Sequence, residues 1–127
     1  MNGKRLKDDG NFIERYAKSF AHACSGILYG IKYEHNIIIM IIATIVVVSA
    51  GIYYNIESYE WLFILFAVGS VTSAEMINSS IEATIDLITS EIHPLAKIAK
   101  DTASAASLIL CVVSFIGACI IFIPKIF

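Results

Sequence analysis

Two stretches of the chain run for the width of a membrane without a charge. Residues 36–56 hold 21 uncharged positions and residues 102–124 hold 23, each at or above the roughly 20 residues that cross a bilayer core as a helix. Between them, 61–74 is uncharged for only 14 positions. A helix continued from 61 to 89 is nevertheless long enough to cross at about 1.5 Å per residue, provided its later carboxylates face protein or water. Ahead of these, Phe12, Ile13, Tyr16, Phe20, Ala23, Ile27 and Leu28 recur at helical spacing, with Arg15, Lys18, His22 and Ser25 falling mostly between them. That pattern predicts an amphipathic helix over 11–33, lying in the membrane interface. The expected fold is an all-α membrane protein: a surface helix and three transmembrane helices at 36–56, 61–89 and 102–124.

Composition agrees with this class. The 127 residues are 57% hydrophobic and 16% charged, with a mean hydropathy of +0.76, too apolar for a soluble domain of this size. The first 35 residues hold no apolar run, so no signal peptide is expected, and 1–10, with its KRLKDDG, reads as a mobile tail. No repeat or linker divides the chain, which reads as a single domain over 1–127. Cys24, Cys111 and Cys119 are odd in number and unsuited to metal ligation by spacing, so they read as small buried hydrophobes. Gly26 and Gly30 form a GxxxG, compatible with close helix approach or with simple packing.

The basic residues orient the chain. Lys4, Arg5, Lys7, Arg15, Lys18 and Lys32 precede the first span, the loop 55–60 has none, and the second loop has Lys97 and Lys100. An excess of basic residues marks the cytoplasmic side. The N-terminus and the 88–100 connection are therefore expected in the cytoplasm.

The stretch AEMINSSIEATID at 74–86 then needs explaining. At about 100° per residue, Glu75, Asn78, Ser79, Glu82 and Asp86 fall on a polar stripe about 100° wide, with apolar or small residues elsewhere. An ionisable residue within a span points to function rather than structure. Glu75 and Glu82 lie two turns apart, about 10.5 Å along the axis, which suits different tasks on an extended ligand. Glu34, Lys100 and Asp101 fall at the same membrane face. Carboxylates to hold Mg²⁺ and accept a proton, with a lysine for phosphate, suit phosphoryl transfer from ATP to a lipid alcohol. GxxxxGK[ST], GxGxxG and HRD are absent from the sequence, so such a kinase needs another architecture.

The motif ExxNSxIExxxD, carried by Glu75, Asn78, Ser79, Ile81, Glu82 and Asp86, and the segment HPLAKIAKDTASAASLIL at 93–110 resemble the prokaryotic integral-membrane diacylglycerol kinase and undecaprenol kinase family. The resemblance implies a homotrimer with composite active sites at subunit contacts on the cytoplasmic side of a bacterial plasma (inner) membrane. It implies Glu75 as general base near the lipid hydroxyl, with Asn78 orienting base or substrate. Glu34 and Glu82 would hold Mg²⁺ and through it the ATP phosphates. Arg15, His22, Lys100 and Asp101 would serve the nucleotide, with Glu91 and His93 near its adenosine end and Ser104 near the lipid. His22 and Ile92 depart from family patterns that carry tyrosine, and HNIIIM after Glu34 lacks charges found in some diacylglycerol kinases. YEHN, YEWLFILF and IFIPKIF look more like undecaprenol kinases, so undecaprenol is the expected acceptor and diacylglycerol the alternative. Nucleic acid is not an expected partner.

Two other classes compete. A small multidrug-type, proton-coupled transporter accounts for Glu75 alone and wants four spans. A purely structural subunit would use the stripe to join helices and need no ATP.

Overall fold

The structure, a computed structural model, describes residues 11–127; the tail expected over 1–10 lies outside the described residues. These form four α-helices, α1 (Phe12–Tyr33), α2 (His35–Tyr53), α3 (Ser58–Ile88) and α4 (Pro94–Ile126). The last three are long and apolar enough to cross a membrane. The chain divides into two compact units, Met1–Glu34 and His35–Phe127.

In the first unit, α1 keeps the amphipathic pattern. Phe12, Tyr16, Phe20 and Leu28 are each more than half exposed, and Gly30 is the buried residue of the helix. A ladder of tilted aromatic pairs, Phe12 with Tyr16 and Tyr29 with Tyr33, follows from their spacing of four. Glu34 leaves helical geometry, and its N–H closes the last turn on the Gly30 carbonyl at 2.9 Å.

In the second unit, α3 packs chiefly on α4 and less extensively on α2. The turn from α2 to α3 is set by Asn55, whose φ of 49° lies in the left-handed region that asparagine tolerates. Asn55 N–H donates to Ile52 O at 3.3 Å and Ile56 N–H to Gly51 O at 3.1 Å, the paired bonds of a Schellman ending. This turn delivers Ile56 into a small core with Ile64 and Ile121, around which Trp61, Phe63 and Phe122 pack. Glu57 and Glu60 then form a capping box, the Glu60 carboxylate accepting from Glu57 N–H at 2.7 Å.

α4 begins well before its apolar window. Pro94 occupies the first turn, where its missing N–H costs nothing, and the His93 side chain accepts from Leu95 N–H at 3.2 Å. Lys97 and Asp101, four apart, pair along the new turn. Most of the connection expected over 88–100 is therefore helix, leaving five residues between α3 and α4. Pro124 sits in the last turn, and the helix continues to Ile126.

Ion pairs at both ends mark α3 and α4 as antiparallel neighbours: Lys100 with Asp86 near the 89–93 loop, and Lys125 with Glu60 at 3.1 Å at the far end. At about 1.5 Å per residue, α2 (19 residues) is about 28 Å long, while α3 (31) and α4 (33) exceed 45 Å. One bilayer core is roughly 30 Å. The two longer helices thus carry their paired ends beyond the apolar slab. Three packed helices cover only one face of each other, which explains why Cys111 is exposed and Cys119 only half-buried; Cys24, on α1, is half-buried as well, so none of the three is buried as the sequence suggests.

Candidate active site at the charged end of α3

The polar stripe of α3 faces its neighbours. Glu75 and Asn78 are buried, at 7% and 6% exposure, and Glu82 is half-buried, while Ile77 on the opposite side is 60% exposed. Helical period alone brings the three polar groups onto one side. Asn78 Nδ2 donates to Glu82 Oε1 one turn away, at 3.2 Å.

Glu75 has a partner from another helix. Asn36 Nδ2, in the first turn of α2, donates to Glu75 Oε1 at 2.5 Å. This bond places Glu75 level with the end of α2, a helix only as long as the hydrocarbon core. Glu75 therefore stands at the membrane boundary, with the remaining turns to Ile88 running outward.

The acids divide by partner. Asp86 pairs with Lys100 across α3 and α4, and Asp101 pairs with Lys97 along α4. Glu75 and Glu82 are each held by a neutral amide. Among the described residues, no group of three histidine, cysteine or carboxylate side chains gathers as a ready metal cage.

The other residues named from sequence take these places. Glu91 and His93 lie exposed in the 89–93 loop, where Glu91 N–H donates to Thr89 Oγ1 at 3.1 Å and His93 caps α4. Ser104 is exposed on α4, one turn beyond Lys100. In the first unit, Arg15 and His22 are exposed on α1 and Glu34 is half-buried at its end.

Two residues escaped the sequence reading. Asn36 was absorbed into an uncharged apolar run, its only signal being a polar amide in the first turn of a span. Ser107 hides in a small-residue stretch, yet it is 5% exposed. Its hydroxyl and Asn78 Oδ1 are buried polar atoms without a hydrogen bond among the described residues. They lie at one level: Asn78 is eighteen residues along α3 from Glu60, and Ser107 is eighteen residues back along α4 from Lys125, the partner of Glu60.

One turn from the Asn36–Glu75 bond begins a cavity of about 380 Å³ between α2, α3 and α4. Met40, Thr44, Val68, Thr72, Cys111 and Phe115 are among its lining residues. The arrangement is a buried carboxylate at the membrane boundary, a second two turns outward, and an apolar hollow inward.

A model of the prokaryotic diacylglycerol kinase family matches residues 21–122. The chain is 40% identical over 119 residues to an undecaprenol kinase of Bacillus subtilis (strain 168), covering 94% of this chain and 97% of that one. It is 44% identical over 71 residues to a diacylglycerol kinase of Helicobacter pylori (strain ATCC 700392 / 26695), covering 56% and 55% of the two chains. It is 35% identical over 80 residues to a diacylglycerol kinase of Escherichia coli (strain K12), covering 63% and 66%.

Proposed function

The chain belongs to the prokaryotic diacylglycerol kinase family, and we propose that it is an ATP- and Mg²⁺-dependent lipid kinase acting on the primary hydroxyl of undecaprenol. The observation that carries the chemistry is the pair of amide-held carboxylates, Glu75 and Glu82, on one face of α3 at the membrane boundary. Undecaprenol is favoured because similarity to the undecaprenol kinase runs almost end to end. Diacylglycerol is the second reading, since diacylglycerol kinases also match, at 29 to 44% identity over 71 to 108 residues.

In this reading Glu75 accepts the proton of the lipid hydroxyl as its oxygen attacks the γ-phosphorus of ATP, and Asn78 orients the site beside it. The lipid chain extends into the apolar hollow that begins one turn inward. Glu82 and Glu34 are the proposed Mg²⁺ ligands. Carboxylates of this kind suit the ion: Mg²⁺ takes one or two protein carboxylates with phosphate oxygens completing its shell, and Glu82 is engaged by an amide, with no lysine paired to it among the described residues. Bound Mg²⁺ supplies charge neutralisation at the phosphates. Arg15, His22, Lys100 and Asp101 serve the nucleotide, Glu91 and His93 its adenosine end, and Ser104 the lipid. Lys97 and Lys100 support a cytoplasmic side for this end of the bundle, the side that supplies ATP. Three chains assemble as a homotrimer with sites shared between subunits.

The deciding experiment presents purified full-length protein with ATP, Mg²⁺ and matched micelles of undecaprenol or diacylglycerol, and follows transfer of labelled γ-phosphate. Faster labelling of undecaprenol is expected. Faster labelling of diacylglycerol overturns the acceptor, and labelling of neither by folded protein overturns the kinase reading.

A further inference from the structure

We propose that Asn36 is a positioning residue for phosphoryl transfer: its side-chain amide holds Glu75 by one carboxylate oxygen and leaves the other for the hydroxyl proton. The inference rests on the reading of Glu75 as base and adds how that base is aimed. Asn36 and Glu75 are 39 residues apart in the chain, and their 2.5 Å bond is the side-chain hydrogen bond that joins α2 to α3 among the described residues. Glu75 is 7% exposed and Asn36 is exposed at the start of α2, so the amide reaches a carboxylate that is itself largely shielded from water.

The nature of the donor matters. A lysine in this place would stabilise the carboxylate anion and oppose its protonation. An amide is neutral and donates through Nδ2 to Oε1 whether or not the other oxygen carries a proton. Oε2 is thereby the free acceptor. During transfer the lipid O–H bond breaks and its proton passes to Oε2. The lipid oxygen forms a bond to the γ-phosphorus, and the bond from that phosphorus to the bridging oxygen breaks, its electron pair leaving on ADP. Oε1 remains hydrogen-bonded throughout, so the base need not turn between its two states. Holding a reacting group in place is worth a large share of a barrier, and a misplacement of about 1 Å can cost on the order of a hundredfold.

The test compares Asn36→Ala and Asn36→Leu, the latter branched like asparagine but bulkier and without a donor, with the parent in labelled-phosphate transfer to undecaprenol and to diacylglycerol, at saturating lipid. Hydrogen bonds to charged groups scale to a fall in kcat of roughly ten- to a hundredfold. KM for Mg·ATP and the SDS unfolding midpoint should stay near the parent values, and the solvent deuterium isotope effect on kcat should rise as the proton transfer slows. A structural tie alone would move the midpoint and leave the isotope effect unchanged. A kcat within threefold of the parent overturns the inference, as does a fall matched by loss of Mg·ATP affinity or of fold in both variants. A parent that phosphorylates neither lipid overturns the kinase reading and this inference with it; an active parent equalled by its Asn36 variants overturns this inference alone.

Discussion

Gly117→Ala tests the close approach of α3 and α4 on which the site's register depends. A Cβ added at Gly117 would meet the Phe63 ring at 2.0, 2.5 and 2.9 Å. Carbon atoms rest about 3.5 to 4.0 Å apart, so the ring must retreat by about 1.5 Å or the helices must part. Phe63 packs against the core of Ile56, Ile64 and Ile121, so its retreat strips contacts there. Overpacking of this kind costs about 1 to 3 kcal/mol, set against about 1 kcal/mol gained from replacing a helical glycine by alanine. The net expectation is a loss of up to about 2 kcal/mol from these two opposing effects. Gly69→Ala is the control: its Cβ meets nothing within 4 Å, so it should be neutral or slightly stabilising. Unfolding in mixed micelles titrated with SDS, followed through Trp61, the chain's single tryptophan, measures both. Phe63→Leu should relieve the clash, making Gly117→Ala less costly in that background than in the parent. If Gly117→Ala matches Gly69→Ala, or if its cost is unchanged beside Phe63→Leu, the steric reasoning is wrong.

Two further outcomes follow from the divided partners of the acids. Glu75→Gln should lower phosphate transfer by at least about a hundredfold, the low end of general-base contributions, while Mg·ATP binding by calorimetry stays intact; Glu82→Gln should instead weaken that binding, and a swap of these phenotypes would reverse the two roles. Asp86→Asn should cost less than about 1 kcal/mol of stability, because its pair with Lys100 is largely exposed, the two side chains being 65% and 35% accessible; a larger loss in the same SDS titration would mean the pair anchors the α3–α4 turn.

The candidate site was partly legible before any coordinates. Spacing alone put Glu75, Asn78 and Glu82 on one side of a helix, because helical period is a local property. Which of them is held by an amide and which acid is matched to a lysine was not legible, since Asn36 reaches Glu75 across 39 residues and Lys100 reaches Asp86 across the α3–α4 turn. Ser107 shows the same limit from the other direction. A serine among alanines reads as small-residue packing, and only the α3–α4 register brings it level with Asn78. The start of α4 is hidden for a related reason: hydropathy marks where a helix enters lipid, while Pro94 in the first turn and the His93 side chain capping Leu95 N–H decide where the helix begins.

By itself the sequence determined that the chain is helical, that three segments are apolar enough to span a bilayer, and that a polar stripe runs along the second of them. These properties arise from composition and from a period of 3.6 residues. The tertiary structure decided the level at which that stripe leaves the apolar slab, the neutral donors that hold its two inner carboxylates, and the hollow beside them. Each of those depends on how far one helix slides along another, and that is settled by interdigitated side chains such as Phe63 against Gly117, contacts that no single segment of sequence contains.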